Sequence, residues 1–224
     1  MDEIRMIDVR ANILSDNENQ ATLIRRELAD KNVFMLNVMA SPGSGKTSVI
    51  IQTIRRLKSE LRLAVIEGDV ESTVDSEKII AEGVPAVQIR TGGACHLDAP
   101  MVTAALDKLD LDNLDLVFIE NIGNLICPAD FDTGADLQMM ILSVPEGDDK
   151  ILKYPLMFSV CNVMLVNKID YLHGSDFNLE LLRRRAHELN PPLQIFEASC
   201  KTGEGLDEWS QWLLEKVKAT ISCG

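Results

Sequence analysis

The sequence predicts an α/β fold, a mainly parallel sheet of about seven strands flanked by helices on both faces. Three observations carry this expectation. Short apolar runs alternate with amphipathic stretches from Val33 onward. The runs are nearly continuous in apolar character, as in Leu114-Asp115-Leu116-Val117-Phe118-Ile119, which suits strands buried on both faces. A glycine-rich loop, Ala40-Ser41-Pro42-Gly43-Ser44-Gly45-Lys46-Thr47, lies where the first strand should give way to the first helix of the alternation. Strands that alternate with helices pair in parallel, with the helices covering both faces.

The elements follow in order. Ser15 with Glu18 three residues later has the spacing of a capping box and predicts a helix from Ser15 to about Asp30, with Leu23, Ile24 and Leu28 on its inner face. Strands are expected at 33–39, 62–67, 84–89, 114–120, 137–143, 162–167 and 193–198. Helices are expected at 46–59, 73–82, 100–109, 150–160, 178–189 and 205–219. No repeat, low-complexity tract or Pro/Ser-rich linker divides the 224 residues, so one domain spanning 1–224 is expected, with 1–31 a helical extension of it. Ligands of such sheets sit beyond the carboxyl ends of the strands.

Composition excludes several functions. The formal net charge of −13 opposes nucleic-acid binding, which needs a positive surface, and opposes docking on anionic lipid. No apolar run approaches the ~20 residues of a membrane span. The start, Met1-Asp2-Glu3-Ile4-Arg5, lacks the basic and apolar stretches of a signal peptide, so a cytoplasmic protein is expected. Five cysteines, an odd number, argue against a disulfide framework. With only three histidines in the chain, the adjacent Cys95 and His96 stand out.

The loop at 40–47 has the phosphate-binding pattern, with Ala40 where the first glycine usually stands. Backbone N–H groups of such a loop point at phosphate oxygens, and the helix beginning at Lys46 adds its positive dipole end. Ser41, Pro42, Gly43, Ser44, Gly45, Lys46, Thr47 and Ser48 are the expected phosphate-binding residues. Lys46 would reach the β and γ phosphates, and the Thr47 hydroxyl would be a Mg²⁺ ligand.

The base is specified further along. Asn167-Lys168-Ile169-Asp170 directly follows the apolar run Val163-Met164-Leu165-Val166. It resembles the Asn-Lys-x-Asp motif of GTP-binding proteins. A carboxylate at Asp170 accepts two hydrogen bonds from the guanine edge, and adenine would leave it unpaired. Asn167 would brace the loop and the Lys168 stem would cover the base. Ser199, Cys200 and Lys201 resemble the Ser-Ala-Lys loop of the same proteins, with cysteine in place of alanine.

Carboxylates complete the expected Mg²⁺ site. Glu120 is expected to end its strand and lead into Asn121-Ile122-Gly123, a variant of the Asp-x-x-Gly found in many GTPases. Gly68-Asp69 should end another strand, and Asp75 follows it. Thr47, Asp69, Asp75 and Glu120 are thus the expected Mg²⁺ ligands, and Lys46, Asp75 and Glu120 the catalytic set. For Asp75 a plain first-turn carboxylate, favoured by the helix dipole, stays open beside the switch role.

Taken together, the phosphate loop, Gly68-Asp69, Thr91-Gly92-Gly93-Ala94-Cys95-His96-Leu97, Glu120-Asn121-Ile122-Gly123-Asn124-Leu125-Ile126-Cys127-Pro128 and Asn167-Lys168-Ile169-Asp170 resemble the nickel-incorporation GTPases of hydrogenase maturation (HypB), in the SIMIBI class of P-loop proteins. The resemblance covers nearly the whole chain from Val33 onward. It implies a GTPase; the residues themselves predict slow intrinsic turnover, since no arginine finger is evident after the phosphate loop. The resemblance also implies nickel delivery to the large subunit of a nickel–iron hydrogenase, a metallochaperone partner and a GTP-dependent homodimer. Some members carry an N-terminal Cys-rich or His-rich stretch; here no cysteine precedes Cys95.

Thiolate and imidazole suit Zn²⁺ and Ni²⁺. Cys95, His96 and Cys127 offer three ligands, one short of a closed structural site, which leaves room for water or for the same residues of a second subunit across a two-fold axis. Simple packing of these residues is the competing reading. Cys161 is expected in the core, Cys200 in the base loop and Cys223 on an inert tail, with His173 and His187 on the surface. Three other functions stay open on sequence alone. They are a urease-accessory GTPase, a P-loop phosphotransferase acting on a small molecule, and a nucleotide-gated interaction module with negligible turnover. A proline between the metal-binding Cys and His marks the urease-accessory proteins and is missing between Cys95 and His96.

Overall fold

A computed structural model of the chain describes residues 9–69 and 74–221; Cys223 and the side chain of Asp69 lie outside what is described. The strands are β1 (Phe34–Ala40), β2 (Leu63–Asp69), β3 (Ala86–Arg90), β4 (Leu116–Gly123), β5 (Leu137–Ser143), β6 (Val163–Asn167) and β7 (Gln194–Glu197). They form one sheet in the order β3-β2-β4-β1-β5-β6-β7, and every neighbouring pair is parallel. The helices are α1 (Val9–Lys31), α2 (Lys46–Leu57), α3 (Val74–Ala81), α4 (Ala99–Leu106), α5 (Cys127–Asp130), α6 (Lys150–Lys153), α7 (Pro155–Val160), α8 (Leu179–Leu189) and α9 (Leu206–Ile221).

β1 is buried along its whole length because it lies between β4 and β5 at the centre of the sheet. Its side chains alternate between layers, as the two-residue period of a strand requires. Phe34, Leu36 and Val38 pack with Val49, Ile54, Trp209 and Leu213 under α2 and α9. Met35 joins Ile24, Leu28 and Val102 under α1 and α4, while Met39 joins Met157, Phe158 and Leu182 under α7 and α8. Each fully buried side chain of this size contributes about 1.5–3 kcal/mol by leaving water. The buried Trp209 indole N–H is not orphaned; it donates to Thr53 Oγ1 at 2.9 Å.

β1 has β4 on one side and β5 on the other, while the chain runs from β1 to β2 past β4. The crevice beyond the ends of these central strands is the switch-point position where ligands of open α/β sheets bind.

Four local expectations are corrected. α1 is already helical at Val9, so Ser15 lies inside the helix and is not its cap. Leu23 points outward at 54% exposed; the inner stripe is Asn17, Ala21, Ile24 and Leu28, a spacing of four, three and four. The helix expected at 150–160 breaks at Tyr154, because Pro155 has no N–H to donate and excludes helical backbone at the residue before it. β4 does not end at Glu120 but continues through Gly123, paired with β1 up to Ala40.

Candidate nucleotide and metal sites

The phosphate loop joins β1 to α2, so its backbone faces the N-terminus of a twelve-residue helix. Gly45 has φ +101°, and a Cβ there would lie 2.5 Å from Asn167 Nδ2. Only glycine satisfies both conditions. Gly123 serves the loop from beneath: a Cβ on it would meet Pro42 Cγ at 2.9 Å. Ser44 is fully buried, and its hydroxyl donates to the Ser41 carbonyl at 2.9 Å. Ala40 takes the usual glycine position without conflict, as the buried last residue of β1.

The Asn167 segment is built onto this loop. Asn167 Nδ2 donates to the Ser44 carbonyl at 2.9 Å, and Lys168 Nζ donates to the Gly43 carbonyl at 2.7 Å. Lys168 has φ +62°, a conformation costly for a non-glycine residue; its N–H donates to Asn167 Oδ1 at 2.8 Å and fixes it. Asp170 receives the Ser199 hydroxyl at 2.6 Å and faces Lys201 Nζ at 3.7 Å. A cleft of about 390 Å³ opens between these segments, with Gly45, Asn167, Asp170, Cys200 and Lys201 on its walls. Gln52 and Tyr171 also line it and were not foreseen from sequence. Burial pushes the Cys200 thiol up to about 11, so it stays neutral there.

Beside the loop, Thr47 Oγ1 donates to Glu120 Oε1 at 2.8 Å. Glu120, Asp75 and Glu67 place carboxylate oxygens within 4.8 Å of one another. Asp75 is also paired with Lys78 at 2.5 Å. Glu67 is the residue that sequence reasoning missed. It is opposite Glu120 in the β2–β4 register and 3% exposed. Its signal was a lone acid in the apolar run Leu63-Ala64-Val65-Ile66. Burial first, and the Glu120 charge second, push its pKa up to about 10. Burial raises Glu120 too, but the nearby Lys46 charge and the Thr47 hydroxyl pull against it. The opposing influences on Glu120 favour the proton on Glu67. One oxygen of each, Glu67 Oε2 and Glu120 Oε2, is buried without a hydrogen-bond partner. Orphaned hard oxygens beside a hydroxyl fit Mg²⁺, which takes oxygen ligands.

A second cluster lies past the end of β4. Cys95, His96 and Cys127 bring their ligand atoms within 4.8 Å of one another, and Cys95 Sγ lies 3.7 Å from His96 Nδ1. His96 stacks on Phe131 with ring centroids 3.8 Å apart. Burial lowers the His96 pKa, which favours the neutral, metal-binding imidazole. The Cys127 thiol beside Cys95 raises the Cys95 pKa, so Cys95 keeps its proton until a cation displaces it. Two soft sulfurs and an imidazole fit Zn²⁺ or Ni²⁺ and not Mg²⁺. Cys161 is buried, and His173 and His187 are exposed, as expected.

The parallel sheet, the phosphate loop and the Asn-Lys-x-Asp segment wired to it define a P-loop GTPase of the SIMIBI type. The family model described as the CobW/HypB/UreG nucleotide-binding domain matches residues 34–197. Hydrogenase maturation factor HypB of Escherichia coli (strain K12) is 44% identical over 213 residues, covering 95% of this chain and 73% of that protein. The crystal structure of HypB from Helicobacter pylori in complex with nickel superposes with a TM-score of 0.87 at 36% identity, covering 92% of this chain and 97% of that one. HypB from Archaeoglobus fulgidus superposes at 0.85 with 37% identity, covering 91% and 99%. The chain belongs to the CobW/HypB/UreG family and, within it, to the HypB hydrogenase maturation factors. Among the described residues, no helix is long and apolar enough to cross a membrane.

Proposed function

We propose that this chain is a Mg²⁺-dependent GTP hydrolase that binds nickel as cargo and assists its insertion into a nickel–iron hydrogenase. The observation that carries the reading is the path of β4. Glu120, in contact with Thr47 of the phosphate loop, is only seven residues from Cys127 of the Cys/His cluster. A change at the γ-phosphate therefore has little intervening chain to cross. The nickel-bound relative from Helicobacter pylori supports nickel as the cargo, and the three donors also suit Zn²⁺.

In the hydrolytic step, the backbone N–H groups of the loop from Gly43 to Ser48 hold the phosphates, with Lys46 as the fixed charge near the γ-phosphate. Thr47, Glu120 and Asp75 would hold Mg²⁺, with Asp69 following at the end of β2. Held there, Mg²⁺ would supply positive charge that offsets the charge developing on the phosphoryl group. Asp75 orients the attacking water, and its pairing with Lys78 must open for that. Asp170 selects guanine, assisted by Ser199, Cys200 and Lys201 from the neighbouring loop. Turnover is slow, because the sequence offers no arginine finger after the phosphate loop.

Three protein ligands leave the cargo site incomplete in one copy. GTP favours a homodimer across a two-fold axis that gathers Cys95, His96 and Cys127 from both copies, and hydrolysis loosens it and releases the cation. The receivers are a metallochaperone and the hydrogenase large subunit, in the cytoplasm. Residues 1–224 act as one domain with 1–31 as its extension. Replacing Cys95 and Cys127 together by Ala should remove Ni²⁺ and Zn²⁺ binding while GTP hydrolysis stays largely intact. A double variant that binds either cation as tightly as the parent places the site elsewhere.

A further inference from the structure

The two segments that carry the Cys/His cluster are tied together by three asparagine side chains. Asn121 follows Glu120 on β4 and is fully buried. Its Oδ1 accepts the Leu97 backbone N–H at 3.0 Å, and its Nδ2 donates to Asn37 Oδ1 at 3.1 Å. Asn37 in turn donates to Gln138 Oε1 at 2.7 Å, so the amide chain crosses β4, β1 and β5. Asn124 donates to the Cys95 carbonyl at 3.1 Å and accepts the Ile126 N–H at 3.0 Å. From the other side, Asn17 of α1 accepts the Ala99 N–H and donates to the Asp132 carbonyl, both at 2.8 Å.

The backbone around His96 is thus held at residues 95, 97 and 99 by one amide each. An amide suits all three places because it carries a donor and an acceptor. Buried polar groups left unpaired are costly, so removing one amide strands its partners. The two asparagines after Glu120 differ from Asn17 in what they are attached to. Side chains of consecutive strand residues point to opposite faces, so Glu120 turns to Thr47 while Asn121 turns to Leu97. A shift of this strand end carries Cys127 by the chain itself and Cys95 through Asn124. Among the described residues Asn17 makes no such link to the phosphate loop; it joins α1 to the start of α4 and to Asp132.

We infer that Asn17, Asn121 and Asn124 are positioning residues of the Cys95/His96/Cys127 cluster: Asn121 and Asn124 tie its geometry to the nucleotide state through β4, and Asn17 braces it from α1 independently of nucleotide. The inference rests on the proposed reading of that cluster as a cation site coupled to GTP.

The test is a chelator-competition titration of Zn²⁺ into the full chain, with GDP and with a non-hydrolysable GTP analogue. The variants are Asn124→Ala, Asn17→Ala and, as reference, Cys127→Ala. Outer partners of metal ligands are worth about 10–100-fold in affinity. Asn124→Ala, on a half-buried loop position, should lose about tenfold in the tighter nucleotide state and bring the ratio between the two states close to one. Asn17→Ala should lose about tenfold in both states and keep the ratio. GTP hydrolysis without added Zn²⁺ should stay within about twofold of the parent in both. Thermal unfolding of each variant, measured alongside, identifies one that has not folded; Asn124→Ala then decides the matter alone. If Cys127→Ala loses Zn²⁺ while Asn124→Ala keeps parental affinity and ratio, the positioning role is wrong and the cation site stands. If Asn124→Ala weakens binding with its ratio unchanged, the link to nucleotide is wrong. If Cys127→Ala retains Zn²⁺, or the parent shows no difference between nucleotides, the underlying reading fails instead.

Discussion

Burial and the neighbouring Glu120 push Glu67 toward its protonated form at neutral pH, with both groups 3% exposed. The folded Glu67 pKa of about 10 is well above the unfolded value of about 4.3. Between those values the unfolded chain gives up a proton that the folded chain keeps, so stability falls as pH rises through this window. Glu67→Gln keeps the neutral shape and removes the slope. In the metal- and nucleotide-free protein it should stabilise pH 8 over pH 5 by on the order of 3 kcal/mol relative to the parent. Parallel Tm-against-pH curves for the two proteins would contradict the assignment of the proton. Glu67 was legible only as an odd acid in an apolar strand. Its partner became visible when the sheet order set β2 beside β4, which no single strand discloses. Asp170, in contrast, was legible from its tetrapeptide, because the base-reading chemistry is local. Asp170→Asn should weaken GTP binding by about a hundredfold and admit xanthosine triphosphate, whose ring oxygen replaces the guanine amino group. Unchanged preference for GTP over xanthosine triphosphate in a competition assay would remove Asp170 from that role.

At the scale of elements, the phosphate loop and β4 do most of the positioning. Gly45→Ala would drive a Cβ to 2.5 Å from Asn167 Nδ2 and break the contact between the phosphate and base segments. Nucleotide affinity should fall by at least about tenfold, and calorimetric titration reads it. Lys46→Ala should abolish hydrolysis and greatly weaken binding. Glu120→Gln should lower kcat by about a hundredfold and spare binding more, because it disturbs the Thr47 contact without emptying the phosphate cradle. Single-turnover phosphate release with saturating GTP separates the two effects. The strands and most helices were readable to within a few residues from apolar periodicity. The failures had local causes. Tyr154-Pro155 breaks a helix that the apolar pattern continues through. α1 begins before its apparent cap, because packing of Asn17 and Ala21 against the domain overrides a weak local signal. β4 runs past Glu120 because Ala40 and Gly123 pair at the end of β1, a tertiary constraint with no imprint in the Asn121-Ile122-Gly123 sequence.

At the scale of the molecule, the two sites were legible separately and their connection was not. Cys95, His96 and Cys127 could be picked out by residue type, but that their ligand atoms converge follows from the loop before α4 meeting the segment between β4 and α5, where Asn124 holds the Cys95 carbonyl. Sequence spacing also hid the braces: Asn17 is 82 residues from Ala99 and 115 from Asp132. Coupling requires that GTP bind the metal-gathering dimer more tightly than the separated form, since equal affinity shifts nothing. Thiolate ligation adds a pH dependence: cation affinity should fall as pH drops, because the thiols must release protons to bind. Nucleotide state, metal occupancy and assembly should therefore change together as one coupling. Its most direct test is metal content and molecular mass of one Ni²⁺-exposed sample divided between GDP and a non-hydrolysable GTP analogue. A metal-loaded dimer is expected with the analogue, and a smaller, metal-depleted species with GDP. The same mass and the same metal content with both nucleotides would contradict it.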